Sequence, residues 1–125
     1  MYATISTADV IEVILTGTAV NVSYYSVYAS SPGLGIDNGT SVPAGTYQLM
    51  PSPSPTTSNQ LLGVTIYNAS TTNSVSLLVR YNNAPSIQQL YVAVLPPGFT
   101  LIYDGGPGPG GGQGWAIYNT AGTKI

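Results

Sequence analysis

The sequence predicts an all-β chain folded as a single antiparallel β-sandwich, jelly-roll-like or another Greek key, of about eight short strands. Three observations predict it. Short β-branched or aromatic runs recur with turn residues at intervals of about eight to twelve residues, the signature of a two-sheet fold. Helix-forming charge is scarce: Glu12, Arg80 and Lys124 are the only residues of their types, against 15 glycines and 10 prolines. Strict alternation appears where Val75, Leu77, Val79 and Tyr81 interleave with Ser76, Leu78, Arg80 and Asn82, so one face of that run is buried and the other mixed. A chain of 125 residues suits one domain, 1–125, and is long enough to bury a modest core without disulfides or metals.

The elements follow in order. Asp9 to Thr16 reads as the first strand and Val20 to Ala29 as the second. In the second, Val20, Val22, Tyr24, Ser26 and Tyr28 share one face, while Asn21, Ser23, Tyr25 and Val27 take the other. Ser31-Pro32-Gly33 breaks it, and Asp37-Asn38-Gly39 reads as a turn because Asn and Gly tolerate positive φ. Pro43-Ala44-Gly45 launches a strand over Thr46 to Met50. The Pro/Ser-rich segment 51–58 has alternating prolines that lack donors and favour polyproline geometry, so it is a crossing or an exposed edge. Leu61 to Asn68 and Ser74 to Tyr81 read as a hairpin joined by residues 69–73. Ile87 to Leu95, Phe99 to Tyr103 and Trp115 to Tyr118 complete the count. No repeat of fixed period appears, and no linker divides two cores.

The composition excludes several classes of function. Charged residues make up 5% of the chain, against about 25% in an average soluble domain. With two cations and a net charge of -2 the chain cannot neutralise many phosphates, so nucleic acid is not an expected partner. The same scarcity argues against a hold on anionic lipid. No apolar run approaches the roughly 20 residues of a spanning helix, and the first residues lack the basic and apolar regions of a secretory signal. His and Cys are absent, which removes imidazole bases, thiolate nucleophiles and the metal sites built on either.

No catalytic, cofactor-binding or metal-binding residue is assigned. Asp9 and Glu12 are three apart, so on a regular strand they point to opposite faces and form no acid–base pair. Asp37 and Asp104 each lie beside a glycine-containing turn that explains them locally. A serine without His or a nearby Lys has no evident base. The chain is therefore read as a non-enzyme.

Two features carry candidate contacts. The Gly/Pro-rich stretch 105–114 fails as a phosphate loop, since Gly114 is followed by Trp115 and Ala116 rather than Lys and a hydroxyl residue. It also lacks the strict three-residue period of collagen. It reads as an extended hairpin loop, or as a contact loop of Gly106, Pro107, Gly108, Pro109, Gly110, Gly111 and Gly112 that orders against a neighbouring subunit. The ten tyrosines pack well in sheets and at their rims. Tyr24, Tyr25 and Tyr28 cluster in sequence and form a candidate aromatic contact face. A surface so poor in charge also lacks the usual protection against association, so the expected setting is an assembly.

These segments resemble small virion structural proteins of tailed bacteriophages. The resemblance rests on Ser6-Thr7-Ala8-Asp9 before an aliphatic strand, and on Leu49-Met50-Pro51-Ser52-Pro53-Ser54 followed by Leu62 through Asn68 and Ala69. It is clearest at the end, in Leu95-Pro96-Pro97-Gly98-Phe99 through Asp104-Gly105, then Gly114-Trp115-Ala116-Ile117-Tyr118 and Ala121-Gly122. The resemblance implies a β-sandwich on the virion surface, without enzyme activity or cofactor, in which the Gly/Pro insertion is a contact element of this chain's own. The expected function is a capsid decoration or cement protein that binds the outer shell, with the major capsid protein and copies of itself as partners. The alternative is a tail-tip or fibre module that binds a host glycan or protein through exposed tyrosines.

Overall fold

The computed structural model describes residues 2–4, 9–30, 33–54, 57–83, 86–106 and 114–125. Among them are ten strands and no helix: β1 (Tyr2–Thr4), β2 (Val10–Thr16), β3 (Val22–Ser30), β4 (Gly33–Val42), β5 (Gly45–Met50), β6 (Asn59–Asn68), β7 (Val75–Asn83), β8 (Ser86–Leu95), β9 (Thr100–Tyr103) and β10 (Trp115–Tyr118). They form two antiparallel sheets packed as a sandwich. The larger runs β10-β9-β6-β3-β4, and the smaller β5-β2-β7-β8. Because β3 pairs β6 along its length, β1 and β9 share the other side of β6, β1 at residues 59–61 and β9 at 64–67.

The core lies between the sheets and is built by period-2 alternation from both. Ile11, Val13 and Leu15 of β2 and Val75, Leu77 and Val79 of β7 point in from the smaller sheet. Val22, Leu61, Val64, Ile66, Leu101 and Tyr103 meet them from the larger. Two breaks in alternation have a visible cause. Consecutive Leu49 and Met50 are both fully buried because the β2–β5 register shifts between Ile11 and Glu12. A second shift, opposite Val27 and Tyr28, lets Leu61 and Val64 both reach the core. Trp115 closes one end of the core, stacked on Tyr91 at 5.2 Å and tilted against Tyr103 at 4.8 Å.

Two sequence expectations are corrected. Asp37-Asn38-Gly39 is no turn: it lies within β4, where Asp37, Asn38 and Gly39 pair with Ser26, Tyr25 and Tyr24. Gly39 is required there by close approach, since a Cβ would collide with the Tyr24 ring. The hairpin expected of 61–68 and 74–81 is also absent, because β6 and β7 belong to different sheets. Buried Asn68 holds that corner: its Nδ2 donates to the carbonyls of Asn73 and Leu95, both at 2.9 Å, and its Oδ1 accepts from the Ser70 amide at 3.1 Å. The Asn68 carbonyl accepts from Gly98 at 2.9 Å, binding the corner to the Pro96–Phe99 turn. Gly98 occupies the left-handed region at φ +77°, which explains its place there.

Residues 51–54 and 57–58 lie outside strands and carry the chain from the smaller sheet to the larger. Ser52 Oγ donates to the Asp9 carbonyl at 2.6 Å, and Asn59 Nδ2 donates to the Pro51 carbonyl at 2.9 Å. Hydroxyl and carboxamide side chains thus replace the backbone donors that the prolines lack.

Candidate interaction surfaces

Glu12, Arg80, Asp37 and Asp104 are each engaged locally. Glu12 Oε1 on the outer side of the smaller sheet accepts from Arg80 Nε at 2.7 Å and from Asn82 Nδ2 at 3.0 Å. Asp9 is buried just before β2, so the two acids are separated as the strand geometry requires. Asp37 Oδ2 accepts from Gln48 Nε2 at 3.1 Å, which ties edge strand β4 to β5 across the sandwich. Asp104 Oδ1 accepts from the Gly106 amide at 3.0 Å. Among the described residues no group of three or more acidic side chains could hold a metal ion. Among the same described residues no helix is long and apolar enough to cross a membrane.

The candidate aromatic face of Tyr24, Tyr25 and Tyr28 does not exist as one surface. Tyr24 and Tyr28 turn inward and pack against the core, whereas Tyr25 points outward and is 44% exposed. Burial pushes the Tyr24 and Tyr28 hydroxyls up, with the Asp37 charge adding to it. Tyr24 also lies 5.5 Å from Tyr47, whose hydroxyl donates to the Pro43 carbonyl at 2.7 Å. The alternation of β3 separates neighbours in sequence onto opposite faces.

Of the candidate contact loop, only Gly106 is described; Pro107 to Gly112 lie outside the described residues. Its base is well defined. The Asp104 amide donates to the Gly114 carbonyl at 3.0 Å, the Tyr103 hydroxyl donates to the Gly106 carbonyl at 2.7 Å, and Gly106 and Gly114 approach too closely for a Cβ on either.

Two outward surfaces emerge from the pairing. On the smaller sheet, Ile14, Leu78 and Val92 are cross-strand neighbours, and Thr16, Ser76 and Val94 form the next row. Val92 is 61% exposed and Val94 59%. They line an apolar groove of ≈ 340 Å³ beside the outermost strand β8.

On the larger sheet, β6, β3 and β4 present a polar and aromatic surface. Tyr67 pairs with Ser23, and Thr65, Tyr25 and Asn38 form one cross-strand row. Thr40 stands beside Ser23, where β4 carries a bulge between its pairings with Val22 and Tyr24. Within the bulge Ser41 holds φ at 53°, unusual for a residue with a side chain, and its amide donates to Ser23 Oγ at 3.2 Å. The groove so formed has a volume of ≈ 410 Å³. Tyr67, 42% exposed, was not singled out from the sequence. Its alternation with buried Ile66 and Asn68 signals an outward side chain, but only the β3–β6 register brings it beside Tyr25.

No protein-family model, curated protein or solved structure matches this chain.

Proposed function

We propose that this chain is a structural protein of a particle assembly, a bacteriophage capsid decoration or cement protein acting on the outer shell. The observation that carries the reading is the chemistry of the outermost strands. β4 and β8 span ten residues each, and the side chains they leave exposed include Leu34, Ile36, Ile87, Val92 and Val94 with no cation among them. Natural sheets commonly guard such edges with Lys, Pro, bulges or a covering element; β4 and β8 each carry a bulge but no Lys or Arg. An edge without cations offers backbone donors and acceptors to a neighbouring chain, and the apolar row behind β8 supplies burial. The phage assignment itself rests on the turn-and-strand pattern of the sequence.

The mode of action follows from this surface. Uncharged faces are buried without stripping water from ions, and the contacts so made depend little on ionic strength. A protein that binds the assembled shell and not its separated subunits stabilises the shell by mass action. The measurement that tests the reading is the copy number of this chain per purified particle, by quantitative mass spectrometry against the major shell subunit. Stoichiometry comparable to that subunit is expected. A few copies per particle would instead indicate a tail or vertex component, and complete absence from particles would overturn a virion role.

A further inference from the structure

We infer that the outer face of the larger sheet carries a binding site for a neutral saccharide, centred on Tyr25 and Tyr67. A sugar ring presents an apolar face of C–H groups and a rim of hydroxyls that both donate and accept hydrogen bonds. A complementary site therefore combines exposed aromatic rings with uncharged groups able to do both. The β6–β3–β4 surface has this composition. Tyr25 and Tyr67 are diagonal neighbours on adjacent strands, a relation that separates side chains by about 7–8 Å on one sheet face. Around them stand the hydroxyls of Ser23, Thr40 and Thr65 and the carboxamide of Asn38.

Three further observations point the same way. No charged residue lines the groove, and Asp37, next to Asn38 in sequence, turns to the other side and is engaged by Gln48. An anionic or cationic ligand would find no counter-charge there. The bulge at Thr40 and Ser41 bends the outer wall, and left-handed backbone at a residue other than glycine is costly and concentrates at functional sites. Ser23 Oγ accepts from the Ser41 amide, which leaves the hydroxyl proton to donate into the groove. A volume of ≈ 410 Å³ falls in the range of small-ligand sites, about 300–1,000 Å³. This face lies opposite the apolar row of the smaller sheet, so a chain docked through that row keeps the groove open. The site stands whether or not the chain decorates a shell.

The test is a binding series by calorimetry with four neutral probes, chitotetraose, maltoheptaose, mannotetraose and a β-galactotetraose, and tetragalacturonate as the anionic control. At least one neutral probe is expected to bind with a roughly millimolar or tighter Kd, as a shallow site allows, and the anionic control is not. Tyr25→Ala and Tyr67→Ala should each weaken binding about tenfold, a loss typical of an aromatic contact. Gln89→Ala, exposed on β8 of the other sheet, should leave it unchanged. Circular dichroism confirms that each variant folds, which the outward position of both rings favours. Failure of all four neutral probes at about 10 mM would overturn the inference. So would undiminished binding by both tyrosine variants, or preference for the anionic probe.

Discussion

The ring of Tyr28 occupies the space where a Cβ on Gly35 would stand. The two residues are direct cross-strand partners on β3 and β4, and the three atoms nearest that missing Cβ are all Tyr28 ring or hydroxyl atoms. Tyr24 and Gly39 repeat the arrangement. Each ring lies across a glycine of the outermost strand and recovers the packing that a residue without a side chain forfeits.

From this relationship, Gly35→Ala is expected to destabilise the fold by about 1–3 kcal/mol, the range of overpacking, although alanine in a strand ordinarily gains backbone entropy over glycine. Gly33→Ala, with nothing near its Cβ position, is the control and should be neutral or mildly stabilising. Chemical denaturation of the two variants beside the parent checks both.

Asn68→Ala removes a carboxamide that satisfies two carbonyls and one amide at the corner between the sheets. A loss of about 2–4 kcal/mol is expected, because the buried Leu95 carbonyl is left without a partner and the part-buried Asn73 and Ser70 groups lose theirs. Asn119→Ala deletes a similar cap in an exposed turn, where Oδ1 accepts from the Ala121 and Thr123 amides, both at 3.0 Å. Solvent replaces those bonds, so the loss should stay below about 1 kcal/mol. Thermal melts of the pair measure the difference.

Stability should fall in alkali. Tyr81 is pushed from the ordinary tyrosine value of 10.0 up to about 12, by burial first and then by its hydrogen bond to Asp9 and the Asp9 charge. Burial also raises Tyr24, Tyr28 and Tyr91. The folded state thus favours the neutral phenols. Their contribution is complete below pH 10 and is lost as pH rises through about 12 for Tyr81. Unfolding followed against pH, together with tyrosinate absorbance, should show the two transitions together. Loss of folded structure well below pH 10 would contradict this cause.

Association should depend on the outer row of β8. A Val92→Lys, Val94→Lys double variant places two cations on the exposed apolar row beside the sheet edge. It should fold as the parent does and lose shell occupancy about tenfold or more, since charge on an edge opposes pairing. Raising salt should weaken the parent's occupancy little. Occupancy unaffected by the double variant would remove β8 from the interface.

The alternating runs were legible because their period is local. Val75, Leu77 and Val79 announced a buried face, and the inward set of β3 was readable down to Ser26. What was misread depended on partners remote in sequence. Asn38-Gly39 carries a turn signal of its own, and only the Tyr24 ring from the paired strand explains its glycine as an extended residue. The connection 69–73 is short enough for a hairpin, and the carbonyl of Leu95, 27 residues beyond Asn68, helps turn it into a corner between sheets. Tyr24, Tyr25 and Tyr28 are near in sequence and divided in space, whereas Tyr25 and Tyr67 are distant in sequence and adjacent on one face.

By itself the sequence determined a charge-poor all-β sandwich, because composition and period-2 alternation are properties of single segments and bias every strand toward the same outcome. Tertiary structure alone decided which strands share a sheet, which glycines lie beneath rings and which tyrosines meet. Those outcomes depend on register between segments many residues apart, and one residue of slip moves every side chain to the opposite face.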